Sequence, residues 1–252
     1  MKKSYGLIGY PLGHSFSQNF FSKKFNDEHI DADYINFEIA TIDMLPSVIE
    51  THPDLCGFNV TIPYKQAIIP YLDSLDSRAE AIGAVNVVKI NRLSGGRARL
   101  TGYNSDIVGF ENAISPLLPK LSTPLDALVL GTGGASRAIV AGLKELGINP
   151  TLVSRSPAPG QLSYSDLSAL VIARHPVIVN TTPLGMFPKV NACPDIPYQY
   201  LSTGHLCFDL VYNPLETTFM KRAREHGATV ANGLDMLHGQ AIEAWRIWNS
   251  NQ

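Results

Sequence analysis

Long apolar runs and an excess of one charge are both missing from this chain of 252 residues. Hydrophobic residues make up 45% of it, but Gly, Pro and polar residues interrupt each apolar stretch well before the length that spans a bilayer. The 20 basic and 22 acidic residues leave a net charge of −2, which does not predict a cationic surface for a polyanion. The sequence therefore predicts neither a membrane nor a nucleic-acid partner.

Cysteine is scarce as well. Cys56, Cys193 and Cys207 are odd in number and have no CxxC spacing, so they indicate neither a disulfide framework nor a zinc site. The seven histidines show no ligand spacing, so no metal is expected. The stretch MKKSYGLIGYPLGHS has two lysines but only a short, broken apolar part, unlike a signal peptide. We expect a soluble cytoplasmic protein, monomeric or homodimeric.

The second half of the sequence contains a regular alternation of short strands and helices. The segments ALVLG, PTLVSR, PVIVNTT, HLCFDLVY and ATVANG predict strands. Helical patterns lie between them, in ASRAIVAGLKELG, in a polar segment after PTLVSR and in LETTFMKRAREHG. This alternation is typical of a Rossmann-type, doubly wound parallel sheet, and we predict a nucleotide domain over residues 106–235.

The first half is less regular. YGLIG, ADYINFEI and CGFNVTI predict strands, SFSQNFFSKKFNDEHI and TIDMLPSVIETH predict helices, and VVKINRLSGGRARLTGYN predicts a β-hairpin around Ser-Gly-Gly. We therefore predict a separate α/β domain with a mixed sheet over residues 1–105, with LPKLSTPLD as a connector. The last helix carries an apolar stripe that must pack against something, formed by Leu237, Ala241, Ala244 and Trp248.

A glycine-rich turn in LVLGTGGASRA is the clearest ligand signal. Gly131 permits a tight turn after a strand, and Gly133 lets the backbone approach a pyrophosphate at the start of the following helix. The predicted contacts are Gly131, Thr132, Gly133, Gly134 and Ala135. The third glycine of the dinucleotide fingerprint is replaced by Ser136, and a structural turn without a ligand is the alternative.

The end of the next strand indicates which dinucleotide is bound. NAD sites usually place a carboxylate there for the ribose 2′-OH, but this chain has Ser154, Arg155 and Ser156. One cation and two hydroxyls suit a 2′-phosphate, so NADP is favoured and NAD stays possible. A solvated arginine in an ordinary loop is the alternative.

The stretch GFNVTIPYKQ raises a further question, because polar Asn59 and Thr61 alternate with apolar residues and Lys65 follows the strand. An edge strand with a wet face and a solvated lysine would explain it. Other polar clusters also lie at predicted strand ends and turns, where α/β proteins build sites. They contain Ser15, Ser17, Asn86, Asn104, Asp106, Tyr212 and Gln240.

In order along the chain, these motifs resemble the shikimate dehydrogenase family: H-S-x-S, G-x-N-V-T-x-P-x-K, I-G-A-V-N, G-x-N-[ST]-D-x-x-G, G-x-G-G-A-S-R, N-T-T-P-L-G-M, D-x-x-Y-x-P and G-x-x-M-L-x-x-Q. The resemblance covers essentially the whole chain. It implies a substrate domain and a nucleotide domain that face each other across a cleft. It also implies that the C-terminal helix, residues 236–252, belongs to the substrate domain.

The resemblance further implies roles for individual residues. Ser15, Ser17 and Thr61 would bind the carboxylate of a small-molecule substrate, with Asn59 in the same strand motif. Asn86, Asp106 and Gln240 would bind ring hydroxyls, and Tyr212 would line the pocket. Lys65 and Asp106 would handle the proton. The nicotinamide end of the cofactor would meet Leu210 and Gly233. The N-T-T-P-L-G-M motif, which contains Thr181 and Met186, would lie near the cofactor.

The implied activity is the reversible reduction of 3-dehydroshikimate to shikimate with NADP, in the route to chorismate and the aromatic amino acids. A quinate/shikimate dehydrogenase that uses NAD or either cofactor is the first alternative. A non-catalytic ligand sensor on the same fold is the second, although a sensor has no need of a proton-handling lysine.

Overall fold

The computed structural model describes residues 2–13, 16–93, 96–120 and 125–250. The chain divides into two compact units, one made of Met1–Ser105 with Gln240–Gln252 and the other of Asp106–Gly239. From the sequence, we predicted that the chain returns to the first unit at residue 236. This position lies in the same C-terminal helix as Gln240. In the described part of the chain, no helix is both long enough and apolar enough to cross a membrane.

The first unit contains one mixed sheet with the strand order β2-β1-β3-β5-β6-β4. Strand β1 is parallel to β2 and β3, whereas β5 is antiparallel to β3 and β6. The mixed sheet and the β5–β6 hairpin were both predicted. Its elements are β1 (Lys3–Gly9), α1 (Phe16–Asp27), β2 (Ala32–Glu38), α2 (Leu45–Thr51), β3 (Leu55–Val60), α3 (Tyr64–Ala67), β4 (Ser74–Leu75), α4 (Ser77–Ile82), β5 (Val87–Arg92) and β6 (Ala98–Tyr103).

The second unit contains a parallel sheet with the order β12-β11-β10-β7-β8-β9. The strand order reverses between β7 and β10, which is the switch point of a doubly wound sheet. The prediction of a Rossmann-type sheet is confirmed. Its elements are α5 (Asp106–Ile114), β7 (Asp126–Leu130), α6 (Gly134–Glu145), β8 (Asn149–Ser154), β9 (Leu162–Ser163), α7 (Ala169–Arg174), β10 (Val177–Asn180), β11 (Leu206–Asp209), α8 (Thr218–Glu225), β12 (Thr229–Ala231) and α9 (Leu234–Asn249).

Several local predictions differ from the structure. The polar segment after β8 forms the short strand β9 and helix α7, because prolines interrupt it and Ser168 caps α7 by accepting the Val171 N–H. Helix α8 begins later than predicted because the Thr217 side chain caps it. The short elements α3, β4 and α4 were not predicted, since so few residues show no clear periodicity. The hairpin turn at residues 94–95 and the connector at 121–124 lie outside the described residues.

The apolar stripe of α9 packs within the first unit from Ala241 onward. The Trp248 ring stacks on Tyr5 with 4.8 Å between centroids, and its indole N–H donates to the Val88 carbonyl at 3.0 Å. A side chain at Gly57 would place its Cβ 2.4 Å from the Trp248 ring. The glycine on β3 therefore makes room for the tryptophan, and the helix covers one face of the mixed sheet.

Candidate active site

The glycine-rich turn connects β7 to α6 at the switch point of the parallel sheet. Gly131 has φ +104°, a conformation that suits glycine, and its Cβ would lie 2.9 Å from the Thr182 methyl group. Gly133 precedes the first residue of α6, and a Cβ added there would meet no atom within 4 Å. The turn thus exposes backbone at the start of a helix, where N–H groups bind anions.

Ser136 occupies the third glycine position of the fingerprint without disturbing the turn. Its side chain is buried, and its hydroxyl donates to the Gly133 carbonyl at 2.6 Å. The Ser136 backbone N–H also bonds that carbonyl, at 3.1 Å. The serine therefore closes the turn with its own hydrogen bonds, which explains how this departure from the motif is accommodated.

A cavity of about 840 Å³ opens beside this turn, within the second unit. It is bounded by the turn after β7, the end of β8 and the segment after β10, which places it at the switch point where doubly wound sheets bind nucleotides. The residues that line it are Gly131, Thr132, Gly133, Val153, Ser154, Arg155, Ser156, Tyr164, Thr181, Thr182, Pro183, Leu184, Cys193 and Asp195.

The end of β8 supplies the polar groups predicted to meet a 2′-phosphate. Ser154 is buried, and its hydroxyl accepts the Ser156 backbone N–H at 3.2 Å, which shapes the loop. Arg155 is exposed on the cavity wall. Burial raises the pKa of Tyr164, and the Arg155 charge opposes that rise, so the guanidinium lies near this phenol. The loop presents a cation where an NAD site would present a carboxylate.

Three lining residues lie in segments to which the sequence analysis assigned no role. Tyr164, Cys193 and Asp195 come from segments that carry no recognised motif. Tyr164 follows β9, and the other two lie in the long segment between β10 and β11. No local signal could have identified them, because the strand order alone brings these segments to the same edge of the sheet.

Five predicted cofactor residues do not line the cavity. Gly134 and Ala135 begin helix α6 beside it, and Met186 is exposed in the segment after β10. Leu210 and Gly233 meet each other, because a Cβ at Gly233 would lie 2.1 Å from the Leu210 carbonyl oxygen. The Gly233 N–H also bonds the Val211 carbonyl at 3.3 Å. The pair predicted for the nicotinamide end is thus brought together.

A buried carboxylate joins the segments around Leu210. Asp209 is fully buried at the end of β11 and accepts from the Asn180 amide at 2.9 Å, the Val211 N–H at 3.0 Å and the Thr217 hydroxyl at 2.6 Å. Burial raises the pKa of Asp209 to about 6, and the three hydrogen bonds oppose that rise. Asp209 therefore connects the ends of β10 and β11 with the cap of α8.

Lys65 lies on α3, a single helical turn that the first unit holds firmly. The Tyr64 hydroxyl donates to the Ile39 carbonyl at 2.7 Å, and Ile68, just after the helix, is fully buried. The Lys65 carbonyl accepts the Val85 N–H at 2.7 Å. These contacts hold the backbone of Lys65 in place from both sequence directions. The Lys65 side chain is half-buried.

A series of hydrogen bonds links the predicted substrate residues of the first unit. The Tyr34 hydroxyl donates to Asn59 Oδ1 at 2.8 Å, and burial raises the pKa of Tyr34 while the Ser17 side chain opposes that rise. Asn59 Nδ2 donates to the Asn86 carbonyl at 3.3 Å. Phe58 and Val60, on either side of Asn59, are buried in the core. The alternation in GFNVTIPYKQ thus separates a core face from a polar face that belongs to this series.

The Asn86 side chain holds the residue before Asp106. Asn86 Oδ1 accepts the Ser105 N–H at 2.7 Å, and Asn86 Nδ2 donates to the Ser105 hydroxyl at 3.1 Å. Asn104 donates to the Ala84 carbonyl at 2.9 Å. Asp106, the next residue, is buried at the first position of α5. These amides fix the chain on which Asp106 is carried.

Three of the four remaining predicted substrate residues lie in the described part of the chain. Thr61 follows β3, its N–H donates to the Ile8 carbonyl at 2.9 Å, and its methyl group packs against Gly9. Tyr212 is partly exposed after β11, in the second unit. Gln240 is half-buried on α9, in the first unit. Ser15 lies outside the described residues. Those residues contain no group of three or more His, Cys, Asp or Glu side chains placed to hold a metal ion.

Comparison with known proteins gives a consistent family. Residues 7–88 match the family model described as the shikimate dehydrogenase substrate binding domain. The chain is 37% identical to shikimate dehydrogenase (NADP(+)) of Methanococcus vannielii, over 96% of this chain and 90% of that protein.

Two solved structures show the same similarity over the whole length. The shikimate 5-dehydrogenase of Thermus thermophilus, in complex with NADP(H) and shikimate, has a TM-score of 0.83 and 29% identity, and the match covers 98% of this chain and 93% of that one. The enzyme of Listeria monocytogenes, in complex with shikimate and NAD, has a TM-score of 0.84 and 26% identity, covering 98% and 91%. The sequence motifs and the cavity at the switch point agree with these similarities. The chain therefore belongs to the shikimate dehydrogenase family.

Proposed function

We propose that this protein catalyses the reversible, NADP-dependent reduction of 3-dehydroshikimate to shikimate. The observation that carries the proposal is the cavity at the switch point, which joins a glycine-rich turn at a helix start to an exposed arginine after β8. Membership in the shikimate dehydrogenase family supplies the substrate class.

The residues at the cavity fit NADP. The backbone of the turn at Gly131–Gly133 and the start of α6 would hold the pyrophosphate. Arg155 would bind the 2′-phosphate through charge-assisted hydrogen bonds, with the hydroxyls of Ser154 and Ser156 beside it. When bound, NADPH supplies the hydride for the substrate carbonyl carbon. NAD stays possible, because Arg155 is the one cation among the described residues that line this cavity.

Most of the residues proposed to recognise the substrate belong to the first unit, whereas Asp106 and Tyr212 belong to the second. Ser15, Ser17 and Thr61 are proposed to bind its carboxylate, and Asn86, Asp106 and Gln240 its ring hydroxyls, with Tyr212 lining the pocket. The hydrogen-bonded series through Asn59 and Asn86 supports this assignment, because it gives several of these side chains fixed positions before a ligand arrives.

Lys65 and Asp106 are proposed to handle the proton. During reduction, negative charge develops on the substrate carbonyl oxygen, and a lysine ammonium stabilises that charge and donates the proton that completes the hydroxyl. In the oxidation, the neutral lysine accepts the same proton as the hydride leaves the ring carbon. Asp106 is proposed to hydrogen-bond the reacting region and to sustain the charged form of the lysine.

The test is an absorbance assay for reduced nicotinamide, with shikimate and NADP⁺ added to the purified protein. We expect turnover, and the same assay with NAD⁺ and with quinate separates the alternative specificities. A protein that binds shikimate without any turnover would instead support the sensor hypothesis. The absence of both binding and turnover would refute the proposed function. A cytoplasmic location and a monomeric or homodimeric state stay predictions from the sequence.

A further inference from the structure

The loop that connects β1 to α1 is held by hydrogen bonds from both neighbouring strands. In its described part, residues 10–13, the Leu12 N–H donates to Glu38 Oε2 at 2.7 Å, and the Tyr10 N–H donates to the Ile62 carbonyl at 3.1 Å. Glu38 ends β2, and Ile62 lies just after β3. Because β1 lies between these two strands in the sheet, its loop is fixed from either side.

The side chain of Leu12 carries this anchoring toward the proposed substrate site. Leu12 is buried, and a Cβ added to Gly9 would collide with both the Leu12 side chain and the Thr61 methyl group. The bare glycine therefore lets Leu12 and Thr61 pack at the same place. The hydrogen bond to Glu38 thus fixes the backbone of a residue that lies beside one of the proposed carboxylate-binding groups.

The first turn of α1 has its own hydrogen bond to β2. Asn36 Nδ2 donates to Gln18 Oε1 at 2.9 Å, and Gln18 directly follows Ser17 in this turn. The buried side chains of the helix, Phe21 and Phe25, lie further along it. Apolar packing therefore anchors the later turns of α1, and the bond between the two amides anchors the turn that carries Ser17.

Asn36 and Glu38 are two residues apart on β2, so their side chains project from the same face of the strand. From these contacts we infer that both are positioning residues for substrate binding, which fix the place of Ser17 by holding the loop and the first turn of α1. Groups that are held before a ligand arrives lose less conformational freedom when it binds. Neither side chain would touch the substrate. The inference rests on the proposed function, in which Ser17 and Thr61 bind the substrate carboxylate.

Replacing Glu38 should give a specific kinetic signature. Glu38→Ala removes the acceptor of the Leu12 N–H and should raise KM for shikimate about three- to tenfold. We expect kcat and KM for NADP⁺ to change by less than about twofold, since the residue supports ground-state binding of one substrate. Glu38→Gln keeps an acceptor oxygen without the charge, so it should return KM for shikimate to within about twofold of the unmodified protein.

The charge of Glu38 supplies a result that would contradict this inference. If the carboxylate acted on the anionic substrate directly, it would repel the substrate, and both Glu38→Ala and Glu38→Gln would lower KM. That result would overturn the inference. Glu50→Ala is the matched control, because it removes the same charge from an exposed position of α2 in the same unit. A KM rise shared by Glu50→Ala and Glu38→Ala would come from net charge and would also overturn the inference.

A double-mutant cycle tests the second anchor. Asn36→Ala and Gln18→Ala should each raise KM for shikimate about two- to tenfold, and the double variant should resemble the weaker-binding single variant. Additive effects would overturn the inference for Asn36, because they would mean that it does not act through Gln18. If the unmodified protein shows no shikimate oxidation, the proposed function fails. If it is active and Glu38→Ala behaves like Glu50→Ala, only this inference fails.

Discussion

The Asn180 amide donates a hydrogen bond to the Asp209 carboxylate at 2.9 Å, and both side chains are fully buried. Asn180 ends β10 and Asp209 ends β11, so this bond joins two neighbouring strands at the edge that carries the cofactor cavity. Asn180 Oδ1 also accepts the Thr182 N–H at 3.0 Å, and the Thr182 methyl group lies against Gly131. The Asp209 carboxylate thus supports the glycine-rich turn through two intermediaries, Asn180 and Thr182.

The raised pKa of Asp209 predicts a pH-dependent stability. Its folded-state pKa of about 6 lies above the ordinary value of 3.8, so its stabilising contribution is present at low pH and is lost as pH rises through about 6. The shift corresponds to about 3 kcal/mol. Asp209→Asn keeps the shape and an acceptor oxygen for Val211 and Asn180 but does not titrate.

We therefore expect the free energy of unfolding of Asp209→Asn, minus that of the unmodified protein, to increase by about 2–4 kcal/mol between pH 4 and pH 7. Chemical denaturation of both proteins at each pH measures this difference, in which other titrating groups cancel. The neighbouring Cys207 thiol does not interfere, because burial raises its pKa to about 12. Parallel pH profiles would show that Asp209 keeps an ordinary pKa.

Replacing Arg155 should change cofactor choice. A charge-assisted contact to the 2′-phosphate predicts that NADP⁺ is preferred over NAD⁺ by about ten- to a hundredfold. Arg155→Asp should weaken NADP⁺ binding by more than the loss of this contact alone, because the new carboxylate repels the 2′-phosphate. It should leave NAD⁺ binding equal or improved, because Asp can accept a hydrogen bond from the ribose 2′-OH. The measurement is kcat/KM for both cofactors, with Arg174→Asp as a control at an exposed arginine that does not line the cavity. Equal weakening of both cofactors would mean that Arg155 supports the loop instead.

Replacing Lys65 should affect the chemical step. Lys65→Ala should lower kcat by roughly 10²–10⁴, the range for losing a general acid–base group, while KM changes much less. Lys144→Ala removes an exposed lysine of α6 and serves as the control. Steady-state kinetics with shikimate and NADP⁺ measures both parameters. Near-normal kcat with a greatly raised KM would reassign Lys65 to substrate binding.

A methyl group at Gly233 should disturb the nicotinamide end. The added Cβ would lie 2.1 Å from the Leu210 carbonyl oxygen, and because that atom belongs to the backbone, the chain itself must move. A displacement of this size near a reacting centre predicts a fall in kcat/KM of roughly 10- to 100-fold. Gly204→Ala is the control, since its Cβ would lie 3.6 Å from the nearest atom, an ordinary contact. Normal kcat/KM in Gly233→Ala would remove Gly233 and Leu210 from the cofactor site.

Much of the architecture was evident in local patterns. Period-two alternation predicted β3 of the mixed sheet, and short runs rich in Val, Leu and Ile predicted most strands of the parallel sheet. The glycines after ALVLG predicted the turn at Gly131, because turn chemistry and side-chain patterns depend on near neighbours. The motif carrying Asn59 was recognised for the same reason. Short helices such as α3, which carries Lys65, were not predicted, since a single turn shows no period.

The sequence by itself determined the fold class, the family and most of the residues proposed for the site. Only the tertiary structure decided which distant segments meet. Strand order brings Tyr164, Cys193 and Asp195 to the cavity wall, the packing of α1 on β2 stacks Phe21 on Tyr34, and burial between β10 and α8 raises the pKa of Asp209. Each of these depends on contacts between residues far apart in the chain, and no local pattern of charge or hydrophobicity encodes such contacts.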